Sequence, residues 1–142
     1  MSMLNLTVER LILSQLLTNE EYTRKVLPFL EKSYFHDDNE KTVLNHVVSY
    51  IEKYNSQPSK ESLIIALSDD KTLSEDAFKR VCEIVEECSN AEKEKEISWL
   101  YDTTEKFCKD KAVYNAIMES IHIIDGKSKS KTENAIPSIL SD

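Results

Sequence analysis

The sequence predicts an all-α protein: a compact bundle of about five short helices, then one long helix that starts an αα-hairpin with a truncated return arm. Three observations carry this expectation. One glycine stands in 142 residues, and hairpin turns and phosphate-cradling loops both depend on glycine's access to positive φ. Apolar residues recur every three or four positions through most of the chain, the period of a half-buried helix. Ser, Thr and Asp stand just ahead of those runs, where their side chains can accept the orphan N–H groups of a first turn.

The elements follow in order. Thr7 precedes "VERLILSQLL", in which Val8, Leu11, Ile12 and Leu16 form one stripe. Thr18 and Glu21 have the spacing of a capping box for a second helix carrying Tyr22, Val26 and Leu30, which Pro28 bends or divides. Asp37 or Asp38 caps a third helix with Val43, Leu44, Val47, Val48 and Ile51 on its apolar face. The chain breaks at Gln57-Pro58, because the residue before proline avoids helical dihedrals, and restarts from Ser59 into a short helix with Leu63, Ile64 and Leu67. Thr72 and Glu75 form another candidate capping box ahead of a fifth helix, with Phe78, Val81, Cys82 and Val85 facing one way.

The stretch "ISWLYDTTEKFCKDKAVYNAIMESIHII", residues 97–124, contains neither glycine nor proline. A helix of about 30 residues ending near Gly126 would extend roughly 45 Å, longer than a small domain is wide. Ile97, Leu100, Thr104, Phe107, Lys111, Tyr114, Met118 and Ile121 step alternately by three and four, the pattern of a coiled-coil seam. Thr104 and Lys111 interrupt it, so its first half fits a helix packed on its own domain equally well. Beyond Lys111 the apolar set widens to Val113, Tyr114, Ile117, Met118, Ile121 and Ile124, more than one small domain needs at its tail. The expected interface is therefore Phe107, Lys111, Tyr114, Ile117, Met118, Ile121 and Ile124. Gly126 is placed to end the helix in the left-handed conformation. After the polar "KSKSKTEN", Ile136, Ile139 and Leu140 resume helical spacing as a return arm. The organisation expected is a globular bundle over 1–90, a long hairpin helix over 91–126, and a linker with the start of the return arm over 127–142.

Composition narrows the function. The net charge of −8 argues against the broad basic footprint by which proteins hold nucleic-acid phosphates, so any DNA contact is at most indirect. Acidic residues concentrate in 61–96, as a solvated face or a dock for a basic partner. No run of 18 apolar residues could span a membrane, and the N-terminus lacks the pattern of a signal peptide. A soluble, cytoplasmic protein is expected. With one glycine the chain cannot contain GxxxxGK[ST] or GxGxxG, so no enzyme activity is expected of this chain. Cys82, Cys88 and Cys108 lack paired spacing and are expected to be reduced packing residues. His36-Asp37-Asp38 sits at a helix start, where aspartates cap; no metal, cofactor or catalytic group is assigned. Trp99 and Tyr101 are either core residues at the base of the long helix or an aromatic anchor for a partner.

Five segments, in order, resemble the N-terminal domain of DnaB-type replicative DNA helicases, particularly the T-even phage branch: "ERLILSQLL", "VLPFLEKSYF", "VLNHVVSYIEKYNSQPSKESLIIAL", "EKFCKDKAVYNAIMESIHII" and "NAIPSIL". Two departures stand out. Asn55-Ser56 occupies a turn that often holds glycine in the family, and Asn115-Ala116 stands where the family's hairpin is richer in arginine. The resemblance implies a non-catalytic collar domain of a hexameric helicase that pairs with itself as a dimer or hexamer and docks primase and a helicase loader. ATP and magnesium would then belong to an absent C-terminal motor domain, and the setting would be the bacterial host cytoplasm if the protein is phage-encoded. The alternatives are a helicase-binding helical domain of a primase or loader-like adaptor, and a carboxylate enzyme, for which no constellation is present.

Overall fold

The computed structural model describes residues 7–134, with side chains described through residue 126. The described residues form six α-helices and two 3-10 turns, with no strand. The all-α expectation is met. The chain divides into two compact units, Met1–Cys108 and Lys109–Asp142.

Five short helices and the start of the sixth make the first unit. Thr7 caps α1 (Val8–Thr18), its hydroxyl accepting from the Arg10 N–H at 3.1 Å. The expected Thr18/Glu21 box is corrected: Thr18 is still helical and donates back to the Ser14 carbonyl, and Asn19 caps α2 (Glu20–Val26) by accepting from the Tyr22 N–H. An asparagine one residue further on caps as well as a threonine and lets α1 complete its last turn. Pro28 divides the segment as expected, holding a 3-10 turn at Leu27–Phe29; a second follows at Lys32–Tyr34. Asp37 caps α3 (Asp38–Tyr54), taking the N–H groups of Asn39 and Glu40. Asn55 closes that helix in the left-handed region at φ 53°, where asparagine is among the few residues tolerated without glycine. Ser59 caps α4 (Lys60–Ser68) reciprocally with Ser62.

The cap of α5 (Glu75–Ser89) is a second correction: Ser74, not Thr72, accepts from the Ala77 N–H. Thr72 is already engaged, giving its N–H and hydroxyl to Asp70 Oδ1 at 3.0 and 2.6 Å. The other oxygen of Asp70 meets His46 Nε2 of α3 at 2.9 Å. These bonds hold the Asp70 carboxyl down to about 2, below its ordinary 3.8, Thr72 first and His46 second. A depressed carboxylate stabilises the fold at neutral pH and loses that contribution as pH falls from about 4 through 2. Asp70→Asn should therefore lower the thermal midpoint at pH 6, with the deficit shrinking by pH 2.5; a deficit equal at both pH values would refute this role.

The core forms where the apolar stripes converge. Ile12, Leu13 and Leu16 of α1 pack with Val43, Leu44 and Val47 of α3, Leu63 and Leu67 of α4, and Val81, Ile84, Val85 and Cys88 of α5. Helix α5 lies against α1, α3 and α4 together, and it separates its faces most cleanly: these four residues are buried while Glu75, Asp76, Lys79, Arg80 and Glu86 are exposed. Leu100, Thr104 and Phe107, from the first turns of α6 (Ile97–Asn134), complete the core. Thr104, which interrupts the seam, is buried because its hydroxyl shares a 2.7 Å hydrogen bond with the Tyr22 hydroxyl. Arg10 joins three helices, donating to Glu40 of α3 at 3.0 Å and Glu87 of α5 at 2.8 Å. Gln15 pins the connector before α6: its amide donates to the Glu92 carbonyl and accepts from the Glu94 N–H. Among the described residues no buried side-chain nitrogen or oxygen lacks a partner.

The second unit is described by itself. Residues 109–134 are continuous helix, so the expected stop at Gly126 is corrected: no glycine has positive φ, and residues 127–134 are helical rather than a linker. A lone glycine in a helix costs only about 1 kcal/mol against alanine, no proline follows until Pro137, and Lys127, Lys129 and Lys131 suit a helix C-terminus. The expected return-arm residues Ile136, Ile139 and Leu140 lie outside the described residues.

Candidate assembly interface

The residues of the expected interface fall into two environments. Phe107 is 8 % exposed and belongs to the bundle core, its ring edge-on to Phe35 at 5.8 Å between centroids. Lys111 is half-buried. Among the described residues beyond it, Val113, Tyr114 (57 %), Ile117, Met118 (45 %), Ile121 and Ile124 (62 %) are all exposed. At about 100° per residue these six occupy an arc of roughly 140° on the helix. Such an arc is wider than the a/d stripe of a two-stranded coil and suits a helix covered on more than one flank. Ile123 is also exposed and lies off this arc; nothing in the three-four spacing singled it out.

Elsewhere the three cysteines and Asp37 hold places that the fold explains. Cys82, Cys88 and Cys108 are free thiols, each raised by burial, Cys88 to about 11, so none is poised as a nucleophile. Asp37 is a cap, and no group of three or more His, Cys, Asp or Glu among the described residues is placed to hold a metal. A groove of about 320 Å³ lies between α2 and the end of α3, floored by Leu27, Pro28 and Ile51. Its charged lining residues, Glu20 and Arg24, form an exposed ion pair at 3.1 Å. Trp99 and Tyr101 separate: Tyr101 stacks on Tyr22 at 6.1 Å with Lys25 over its ring, while Trp99 is 50 % exposed. No described helix is long and apolar enough to cross a membrane. Among the described residues, the concentrated feature of the surface is thus this helical apolar face.

No family model matches the chain. The chain is similar to the DnaB-like replicative helicase of Enterobacteria phage T4. Identity is 29% over 113 residues, covering 80% of this chain and 23% of that helicase. The resemblance to DnaB-type helicases of the T-even phage branch therefore holds over most of the chain. The chain spans about a quarter of the length of this DnaB-like relative.

Proposed function

We propose that this chain is the non-catalytic N-terminal collar domain of a hexameric replicative DNA helicase, mediating subunit assembly and docking of primase in the host cytoplasm. A helicase loader is a further partner, and ATP and magnesium act in the motor portion of the longer protein. The likeness to a DnaB-like replicative helicase supports the setting. The single observation that carries the assembly role is the exposed apolar face from Val113 to Ile124. Six large apolar side chains on one arc exceed what a monomer ordinarily leaves in water, and a second copy of the same arc is the simplest complement, since a two-fold contact needs only one self-complementary patch.

Sedimentation tests the pairing. The wild-type chain should self-associate at high micromolar concentration, and Tyr114→Asp or Ile121→Asp should weaken this by at least about a hundredfold, because a carboxylate would be desolvated at the seam. A wild-type monomer at those concentrations, or association untouched by both substitutions, would sink the proposal. Calorimetric titration with the cognate primase tests docking, with absence of heat or binding as the refuting result.

A further inference from the structure

Resting on the self-association proposed above, we infer that the arm's helix beyond Lys111 folds only as its apolar face is covered: in a lone chain it is largely unwound, and the helical arm is the associated form. The first support is the set of residues that would have to hold the helix unaided. Of the fifteen residues 112–126, only Ala112, Ala116, Met118 and Glu119 are strong helix formers. Val113, Ile117, Ile121, Ile123 and Ile124 are β-branched, so each loses χ1 freedom against the preceding turn. The Ser120 hydroxyl donates to the Ala116 carbonyl at 2.9 Å, a back-bond that slightly weakens a helix. Gly126 adds the backbone entropy of a residue without a Cβ. Even good formers extend a helix with a propagation constant of only about 1 to 1.6 near 0 °C, so a run this poor falls below unity at room temperature. The packed first turns of α6 supply a nucleus, but below unity a nucleated helix fades within a few turns. The apolar pairs Tyr114 with Met118 and Ile117 with Ile121, one turn apart, each return about what one weak residue takes away.

The second support is what offsets weak propensity elsewhere. Helix α5 uses the same residue types, but Val81, Ile84 and Val85 are buried where α5 lies against α1, α3 and α4, so packing supplies what propensity lacks. On the arm these residue types are exposed, Val113, Ile117, Ile121, Ile123 and Ile124 alike. Burial therefore does not offset their cost in a lone chain. A second copy laid on the arc supplies that burial, and ordering and association become one step. The consequence is control by concentration: the lone chain carries no preformed apolar ridge for unrelated surfaces to bind.

Hydrogen exchange read by mass spectrometry on the full chain, beside sedimentation of the same samples, tests the coupling. At low micromolar concentration the amides of 113–126 should exchange at nearly unprotected rates while those of α5 stay protected. At high micromolar concentration, where the chain associates, exchange over 113–126 should slow by at least about tenfold. Protection of 113–126 in the dilute chain equal to that of α5 overturns the inference whatever the state of association. Association without a gain in protection also overturns it and leaves self-association standing. A chain that sediments as a monomer throughout overturns the reading on which the coupling rests, and the coupling with it. Gly126→Ala gives an independent readout. At 100° per residue Gly126 lies opposite the apolar arc, and a Cβ there meets nothing within 4 Å, so the change acts on helix propensity. A helix already formed in the lone chain would gain equally in both states and leave association unmoved. A helix formed on pairing should tighten association by at least about fivefold, because the glycine–alanine difference is then gained in each copy. Unmoved association overturns the coupling.

Discussion

Arg10→Met is expected to lower folding stability by about 3 kcal/mol, the lower end of the range for removing one partner of a buried ion pair. Arg10 is largely covered and is the shared donor of Glu40 and Glu87, whose carboxylates reach it from two other helices. Methionine keeps the stem that packs among those helices, so the loss reports the charge rather than a cavity. The sign of the pH dependence follows from Glu40. Burial pushes its carboxyl above the usual range, while the hydrogen bond and charge of Arg10 pull it down. A raised folded pKa means that the folded state holds the proton more tightly, so Glu40 favours folding most below its unfolded pKa and loses that contribution as pH rises through the folded value. Without Arg10 the carboxyl should rise further and the window should extend toward neutrality. The urea midpoint of Arg10→Met should therefore recover toward wild type as pH falls from 7 to 5. Adding Glu40→Gln should restore much of the pH 7 loss, since it removes the charge left uncompensated. A deficit independent of pH, and unrelieved in the double variant, would show that the pairing with Glu40 is not what Arg10 supplies.

Phe107→Ala and Ile117→Ala should differ sharply although both residues lie on one helix and on one run of three-four spacing. Phe107 fills the bundle core against Phe35, and deleting a buried phenyl ring costs about 3 to 5 kcal/mol through lost transfer energy and the cavity left behind. Ile117 is 54 % exposed, and truncating it should move the monomer's stability by no more than about 0.5 kcal/mol. Urea titrations at concentrations low enough to keep the chain monomeric make the comparison, with the m-value as a check that the unfolded surface is unchanged. Equal losses at the two positions would mean that α6 is buried alike along both stretches and that the exposed face is not available to a partner.

Local signals carried most of the fold because each needs only neighbours in sequence. Near-absence of glycine and the three-four spacing were enough for an all-α chain, and Thr7, Asp37 and Ser59 cap where their positions suggest. The caps that moved did so through competition. At α2 the amide of Asn19 stands one residue beyond Thr18. At α5 Thr72 is drawn away by Asp70, which the α3 residue His46 holds in turn. Glycine often occupies helix C-termini, which makes Gly126 a stop signal by position, yet its cost inside a helix is too small to end one without a competing conformation.

The candidate interface was legible in the same way as far as composition reaches: the apolar set from Val113 to Ile124 is written in the chain. Spacing alone could not divide the seam. Leu100, Thr104 and Phe107 share a period with Tyr114, Met118 and Ile121, but the first three are buried, Thr104 against the Tyr22 hydroxyl and Phe107 against Phe35, and the other three are exposed. Periodicity states that a helix has an apolar face; whether that face is covered depends on groups far away in sequence, and this the tertiary structure decides.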